Sequence, residues 1–271
     1  MLIDTHCHPD GFVRGNRFDA VLARAGDAGV GHMVCAGTEP EDWGIYRELC
    51  RQFPQKISYA VGLHPGNIAE NWQEQLAALD EFLSAGNAPA PIAIGEIGLD
   101  EYRMPAEPEL AQSIRETQLA VFSRQLATAA RLGLPVVVHA RNAFDAAVRA
   151  IDESGVAWGN VVFHCFSESA ERVKVLNARG GRASFTGTIT YKNAQQTRDA
   201  ALAQGLEKLM LETDCPYLAP CKLRGKENEP AYLRETAKFV AELFGVSVAE
   251  IEHITTDNAR RFYRISATTV A

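Results

Sequence analysis

The chain has 271 residues, 46% hydrophobic and 23% charged, with a formal net charge of −7. This is the composition of a globular protein able to bury a sizeable core, and no apolar run approaches the ~20 residues needed to span a bilayer. The acidic balance argues against a protein that grips nucleic acid mainly through a basic surface, so any such contact has to be local, made by bound cations and a few Arg and Lys side chains.

Short β-branched runs alternate with longer amphipathic segments along the whole chain. Strands are predicted over 2–8, 32–37, 58–64, 92–98, 135–140, 161–166, 182–187 and 209–214. Helices are predicted between them over 19–28, 72–85, 114–132, 143–153, 170–179 and 193–203, with a last major helix over 230–244 and a short closing one over 251–262. Alternating strands and helices imply a parallel sheet with crossover connections. Eight such units imply a closed TIM (β/α)8 barrel, read here as a single domain over 1–271. A doubly wound open sheet is the alternative. It would favour a Gly-rich phosphate loop after the first strand, and Thr5-His6-Cys7-His8-Pro9 is nothing like one.

The first strand closes on Asp4-Thr5-His6-Cys7-His8. Side chains alternate faces in a strand, so His6 and His8 point the same way and can reach one metal ion, while Cys7 points the other way. Further residues of the same kind recur at matching positions: His64 ends strand three, Glu96 strand four, His139 strand five, His164 strand six and Asp214 strand eight. Any one of them alone reads more readily as a structural residue. Together they fall where a barrel gathers its active site, at the carboxyl ends of the strands. The six other than His64 suffice to hold two divalent cations, with an acidic residue available to bridge. Burying so many ionisable groups without metal would be costly.

His32, at the start of a strand, and His253, in the C-terminal helical segment, read as structural or surface residues. The six cysteines show no CxxC pair and no disulfide-scaffold spacing, so reduced thiols and a cytoplasmic location are expected. Nothing resembles a signal peptide. Cys7 and Cys165 are expected on the outer barrel face beneath the helices, Cys35 and Cys50 in packing positions, and Cys221 in a loop.

These residues resemble the TatD family of metal-dependent hydrolases, within the wider amidohydrolase-like barrels. The resemblance covers almost the whole chain, through Asp4-Thr5-His6-Cys7-His8, Gly62-Leu63-His64-Pro65, Gly95-Glu96-Ile97-Gly98-Leu99-Asp100, Pro135-Val136-Val137-Val138-His139-Ala140-Arg141, His164-Cys165-Phe166-Ser167, Glu212-Thr213-Asp214-Cys215-Pro216-Tyr217-Leu218-Ala219-Pro220, Arg224-Gly225-Lys226-Glu227-Asn228-Glu229-Pro230 and Thr255-Thr256-Asp257-Asn258-Ala259. It implies a two-metal centre in which His6, His8 and Asp214 hold the first ion, His139 and His164 the second, and Glu96 bridges. The ions are expected to be Mg, Mn or Zn, since imidazole and carboxylate donors together do not select one. Two departures bear on substrate preference: Glu101 stands where an aromatic often follows Gly-Leu-Asp, and the segment over 102–115 is longer than usual.

The activity implied by the resemblance is that of a deoxyribonuclease trimming single-stranded DNA from the 3′ end, with a metal-activated water attacking the phosphodiester. An alternative is hydrolysis of another ester, such as D-aminoacyl-tRNA deacylation. A remoter one is a non-catalytic metal-binding scaffold. Asp214 is the expected general base, Glu96 the bridging group, and His64 a contact to the substrate phosphate or leaving group. Arg141 either donates to a phosphate in a bidentate fork or pairs with Glu212 or another carboxylate. Lys222, Arg224 and Lys226 form a small basic loop that tracks a nucleic-acid backbone or merely aids solubility. Asn228 and Glu229 are expected to pin that loop, and Asp4 and Asp100 to support ligands rather than coordinate. The partner is thus a nucleic acid, DNA or a tRNA, with no membrane involved and a monomer as the default.

Overall fold

A computed structural model describes residues 1–84, 86 and 89–266. Eight strands, β1 (Leu2–Cys7), β2 (Val30–Ala36), β3 (Ile57–Val61), β4 (Ala93–Asp100), β5 (Val136–Arg141), β6 (Val161–Phe163), β7 (Arg182–Phe185) and β8 (Met210–Leu211), lie in sequence order in one sheet. Every neighbouring pair is parallel. Beyond the last ladder residues, the Asp214 N–H donates to the His6 carbonyl at 2.9 Å and the His8 N–H to the Cys215 carbonyl at 2.8 Å, which brings β8 back to β1. The result is the expected TIM barrel.

Helices α1 (Asp10–Arg14), α2 (Phe18–Asp27), α3 (Pro40–Gln52), α4 (Trp72–Ser84), α5 (Pro108–Leu132), α6 (Phe144–Ser154), α7 (Ala170–Arg179), α8 (Gln195–Gln204), α9 (Leu233–Phe244) and α10 (Val248–Tyr263) cover the sheet. The predicted helix over 72–85 ends at Ser84, and Ala85 lies outside the described residues. Two helices were not expected, α1 and α3. The second has a readable signal, because Trp43, Tyr46, Leu49 and Cys50 form a buried stripe at helical spacing behind Pro40 in the first turn. The start of α5 is likewise earlier than expected, at another first-turn proline, Pro108. At its other end Gly133 takes φ +64°, a left-handed cap that lets the chain turn directly into β5.

Strand alternation splits the core into two layers. Outward residues such as Met33, Cys35, Val136 and Val138 pack beneath the helices in one large cluster. Inward residues Val34, Ala60, Ala93, Val137, Val162 and Met210 form a second, smaller cluster together with Phe262 and Tyr263 of α10. The Tyr263 hydroxyl donates to the Thr5 carbonyl at 3.1 Å. The end of α10 therefore fills the barrel near the strand N-termini and leaves the opposite end to polar side chains.

Several strands stop short of the expected boundary. β6 ends at Phe163 rather than 166, because the Cys165 N–H leaves the ladder and donates to Glu212 at 2.5 Å, with Cys165 at φ +46°. Cys165 accordingly sits in a turn beside the site and not under the helices, which corrects the placement expected for it. Cys7 and Cys35 are buried, and opposite each other in the β1–β2 register.

Candidate metal centre

The interior face carries each candidate ligand to the carboxyl end of the barrel. In β5, Val137 is an interior residue, so His139 two positions on faces the same way. In β8 interior Met210 places Glu212, two positions on, on the same face, whereas Asp214 lies beyond the strand at φ +55°, held there by the bond from its N–H to the His6 carbonyl. Glu96 gets there differently. Ile94 pairs with Val136 and Ile97 with Val138, three residues against two, so a bulge lies between them. Both isoleucines pack outward, and the extra residue turns the Glu96 carboxylate inward.

Glu96 lies at the middle of the cluster and its two oxygens face different groups. Oε2 is 3.2 Å from His6 Nε2 and 3.4 Å from His8 Nε2. Oε1 is 2.7 Å from His164 Nε2, 2.9 Å from His139 Nδ1 and 3.3 Å from His64 Nε2. Asp214 Oδ1 joins the first set, 3.3 Å from His8 Nε2 and 3.6 Å from His6 Nε2. The His6 and His164 rings stack at 4.0 Å with 8° between their planes, which holds the two sets together.

Neighbouring groups decide which nitrogens can coordinate. His8 Nδ1 is 2.9 Å from the Ala36 carbonyl; a carbonyl only accepts, so Nδ1 carries a proton and Nε2 is the nitrogen that can coordinate once it is unprotonated. His139 Nε2 is 3.0 Å from Asp100 Oδ2, which leaves Nδ1 free toward Glu96. His64 is opposite in kind. Its Nδ1 accepts the Gly66 N–H at 2.9 Å, so Nε2 is protonated and donates toward Glu96, the arrangement of a hydrogen-bond donor. Asp4 accepts from the Thr213 N–H at 2.9 Å and the Thr213 hydroxyl at 2.6 Å, bracing β8 rather than facing the cluster.

The electrostatics match a cation site. Burial would raise the Glu96 carboxyl, but His164, His64 and His139 outweigh it and hold it well below the usual carboxylate range. Asp214 is held low in the same way, with His8 and His6 overcoming its burial. Burial, aided by His164, pushes His6 down to about 4, which keeps its ring neutral. Two anionic carboxylates thus share a buried space with imidazole nitrogens that become lone-pair donors once they give up their protons, the donor set that hard and borderline divalent ions take. The residues present fit a metal centre.

Outside the cluster, Arg141 does not pair with Glu212. The Glu212 oxygens are taken by the Cys165 N–H and the Ser184 hydroxyl, both at 2.5 Å, while the Arg141 guanidinium lies over the Tyr102 ring at 3.6 Å. Arg224 lies over the Tyr191 ring at 5.1 Å, and Lys222 is 3.5 Å from Glu235. Asn228 does pin the loop after β8, donating through Nδ2 to the Thr213 carbonyl at 2.9 Å and to that of Tyr217. Glu229 accepts a two-pronged contact from Arg24 of α2. His32 is buried between the Gln55 carbonyl and the Ser58 hydroxyl, and His253 is an exposed partner of Asp257. Sequence reasoning missed Glu212 as a member of the site. The signal was present, since Glu212 stands two residues before Asp214, the same spacing that relates His6 to His8.

A parallel eight-stranded barrel with histidines and carboxylates gathered at the carboxyl ends of its strands defines a barrel enzyme built to hold metal. The family model described as TatD related DNase matches residues 3–264. The chain is 34% identical over 266 residues to the uncharacterized metal-dependent hydrolase YabD of Bacillus subtilis, covering 98% of this chain and 100% of that one. It is also 34% identical over 270 residues to the metal-dependent hydrolase YcfH of Escherichia coli, covering 98% and 97%. Among solved structures, the TatD homologue YjjV of Escherichia coli superposes with a TM-score of 0.88 at 30% identity, covering 98% of each chain. The chain belongs to the TatD family of metal-dependent hydrolases.

Proposed function

We propose that the protein is a two-metal deoxyribonuclease that trims single-stranded DNA from its 3′ end. The observation that carries this reading is the division of Glu96, with Oε2 facing His6 and His8 and Oε1 facing His139 and His164. Two ions bound here would be held by His6, His8 and Asp214 on one side and by His139 and His164 on the other, with Glu96 available to both. Bound there, two divalent cations would lower the pKa of a water molecule and neutralise charge developing on the phosphoryl oxygens.

The protein's own groups do the remaining chemistry. Asp214 is held ionised by His8 and His6, and its backbone is fixed by the bond from its N–H to the His6 carbonyl. It accepts the proton of the attacking water. Its depressed pKa makes it a weak base, so the transfer relies on a short, aligned contact. His64 presents a protonated Nε2 at the rim, suited to a phosphate oxygen or to the leaving oxygen. The family's description as a DNase supports the choice of phosphorus over an acyl carbon as the electrophile.

The test is a paired turnover assay on metal-defined protein with Mg, Mn or Zn. One arm contains single-stranded DNA labelled at its 3′ end, the other D-aminoacyl-tRNA, with Asp214→Asn as control. Shortening of DNA that requires both metal and Asp214 supports the reading. Deacylation without DNA cleavage moves the activity to an acyl ester, and turnover that survives Asp214→Asn removes Asp214 as the base.

A further inference from the structure

We propose that Tyr102 and Tyr217 are base-stacking faces that hold a single strand across the metal centre, an inference that rests on the nuclease reading above. Large apolar side chains exposed among the described residues are Met1, Leu110, Leu119, Leu132, Leu202, Tyr102 and Tyr217. Scattered exposed leucines on outer helices are ordinary. The two aromatic members are not scattered. Tyr102, 53% exposed, follows β4, the strand that supplies Glu96; Tyr217, 64% exposed, follows Asp214 after β8.

Both rings are tied to the centre through short stretches of fixed backbone. The Tyr102 N–H donates to Asp100 Oδ1 at 2.8 Å, and the other oxygen of Asp100 faces His139. The Tyr217 N–H donates to the Asp214 carbonyl at 3.0 Å, and its own carbonyl accepts from buried Asn228. The hydroxyls of Tyr46, Tyr59, Tyr191 and Tyr263 each donate within the protein; among the described residues no such bond holds Tyr102 or Tyr217. The protein therefore fixes where each ring starts and leaves both residues more than half exposed.

β4 and β8 stand four places apart in a ring of eight strands, hence on opposite sides of the mouth. Eight strands spaced about 4.8 Å and tilted about 36° make a ring roughly 15 Å across. A strand lying over the metals meets one tyrosine on each side of the bond to be cut. Arg141 covers one face of Tyr102 at 3.6 Å, which orients the ring and puts a cation beside the neighbouring phosphate. Stacking also supplies what this acidic chain lacks in basic surface, because a base can bind an aromatic face without a phosphate being neutralised. Paired bases inside a duplex offer no such faces, so the same pair of rings discriminates against double-stranded DNA.

The test is binding of a fluorescein-labelled oligothymidylate and of its abasic counterpart, followed by anisotropy in an Asp214→Asn background, together with kcat/KM for cleavage with Asp214 intact. Tyr102→Ala and Tyr217→Ala should each weaken binding of the oligothymidylate about 10-fold. Tyr102→Phe and Tyr217→Phe should restore it, since Phe keeps the ring. The abasic strand should bind the parent weakly and show no further loss in either Ala variant. Equal binding of oligothymidylate by the parent and both Ala variants overturns the inference while leaving the nuclease reading in place. A parent protein that neither binds nor shortens either strand overturns both.

Discussion

The Nδ1 atom of His164 lies 3.7 Å from Glu212 Oε1, while its Nε2 lies 2.7 Å from Glu96 Oε1. The ring thus points one nitrogen at the cluster and the other toward a fully buried carboxylate that lies beyond hydrogen-bond reach, so Glu212 acts on the ring through its charge. Glu212→Gln replaces one acceptor oxygen with an NH2 that meets donors at the Ser184 hydroxyl or the Cys165 N–H. Metal affinity should fall about 10- to 100-fold with the fold retained, measured by titration against a competing chelator alongside a circular-dichroism melt. Unchanged affinity would remove Glu212 as a positioning residue for His164.

Loading metal should expel protons. Burial disfavours a charged His139, but Asp100 and Glu96 on its two nitrogens outweigh that and raise it to about 9 in the metal-free protein. His8 is raised as well, with Asp214 and Glu96 overcoming its burial. Coordination requires the neutral ring. Near pH 7 the metal-free state therefore binds more protons than the loaded one, and affinity rises with pH through the range near 9 in which His139 loses its proton. Calorimetry in buffers of different ionisation enthalpy reads the number released, expected to be at least about one per chain. Zero release would mean that the ring is already neutral before metal arrives.

Gly98 is where β4 comes closest to β5. A Cβ built there would lie 1.9 Å from the His139 carbonyl oxygen, and its φ of +151° is rarely open to other residues. Gly98→Ala should push the two strands apart at His139. The expected cost is ~3 kcal/mol or more, read as a lowered midpoint in urea, with weaker metal binding beside it. A wild-type midpoint would show that the seam relaxes without cost.

Asn228 joins two parts of the loop after β8. Its Nδ2 donates to the Thr213 and Tyr217 carbonyls, and its Oδ1 accepts the Glu229 N–H at 3.0 Å. Asn228→Ala leaves these buried groups without partners, at about 1–3 kcal/mol. Because the same loop carries Asp214 and Tyr217, kcat/KM should fall at temperatures where the variant is still folded. Loss of stability with full activity in the folded fraction would limit Asn228 to a structural role.

The chain by itself determined the barrel, its strand count, and most of the residues that gather at its mouth. Alternation and helical periodicity are local properties, readable wherever a run is regular. His139 follows from period two, and so does the face that His6 and His8 share, although the register shift between Asp4 and Cys7 decides that this face is the inward one. Glu96 does not follow from it at all. Counted in strict alternation it shares a face with Ile94, and only the bulge between Ile94 and Ile97, set by the register of β4 on β5, turns it inward. The early end of β6 and the turn at Cys165 likewise depend on Glu212, a residue 47 positions away. The role of His64 as a donor rests on the Gly66 N–H, the free Nδ1 of His139 on Asp100, and the stacking of Arg141 on Tyr102 on the meeting of two separate loops. Each is a contact between groups brought together by neighbouring strands. A linear pattern records which face a residue prefers, whereas the partner across the gap, and with it the proton and the register, is decided only when the sheet closes.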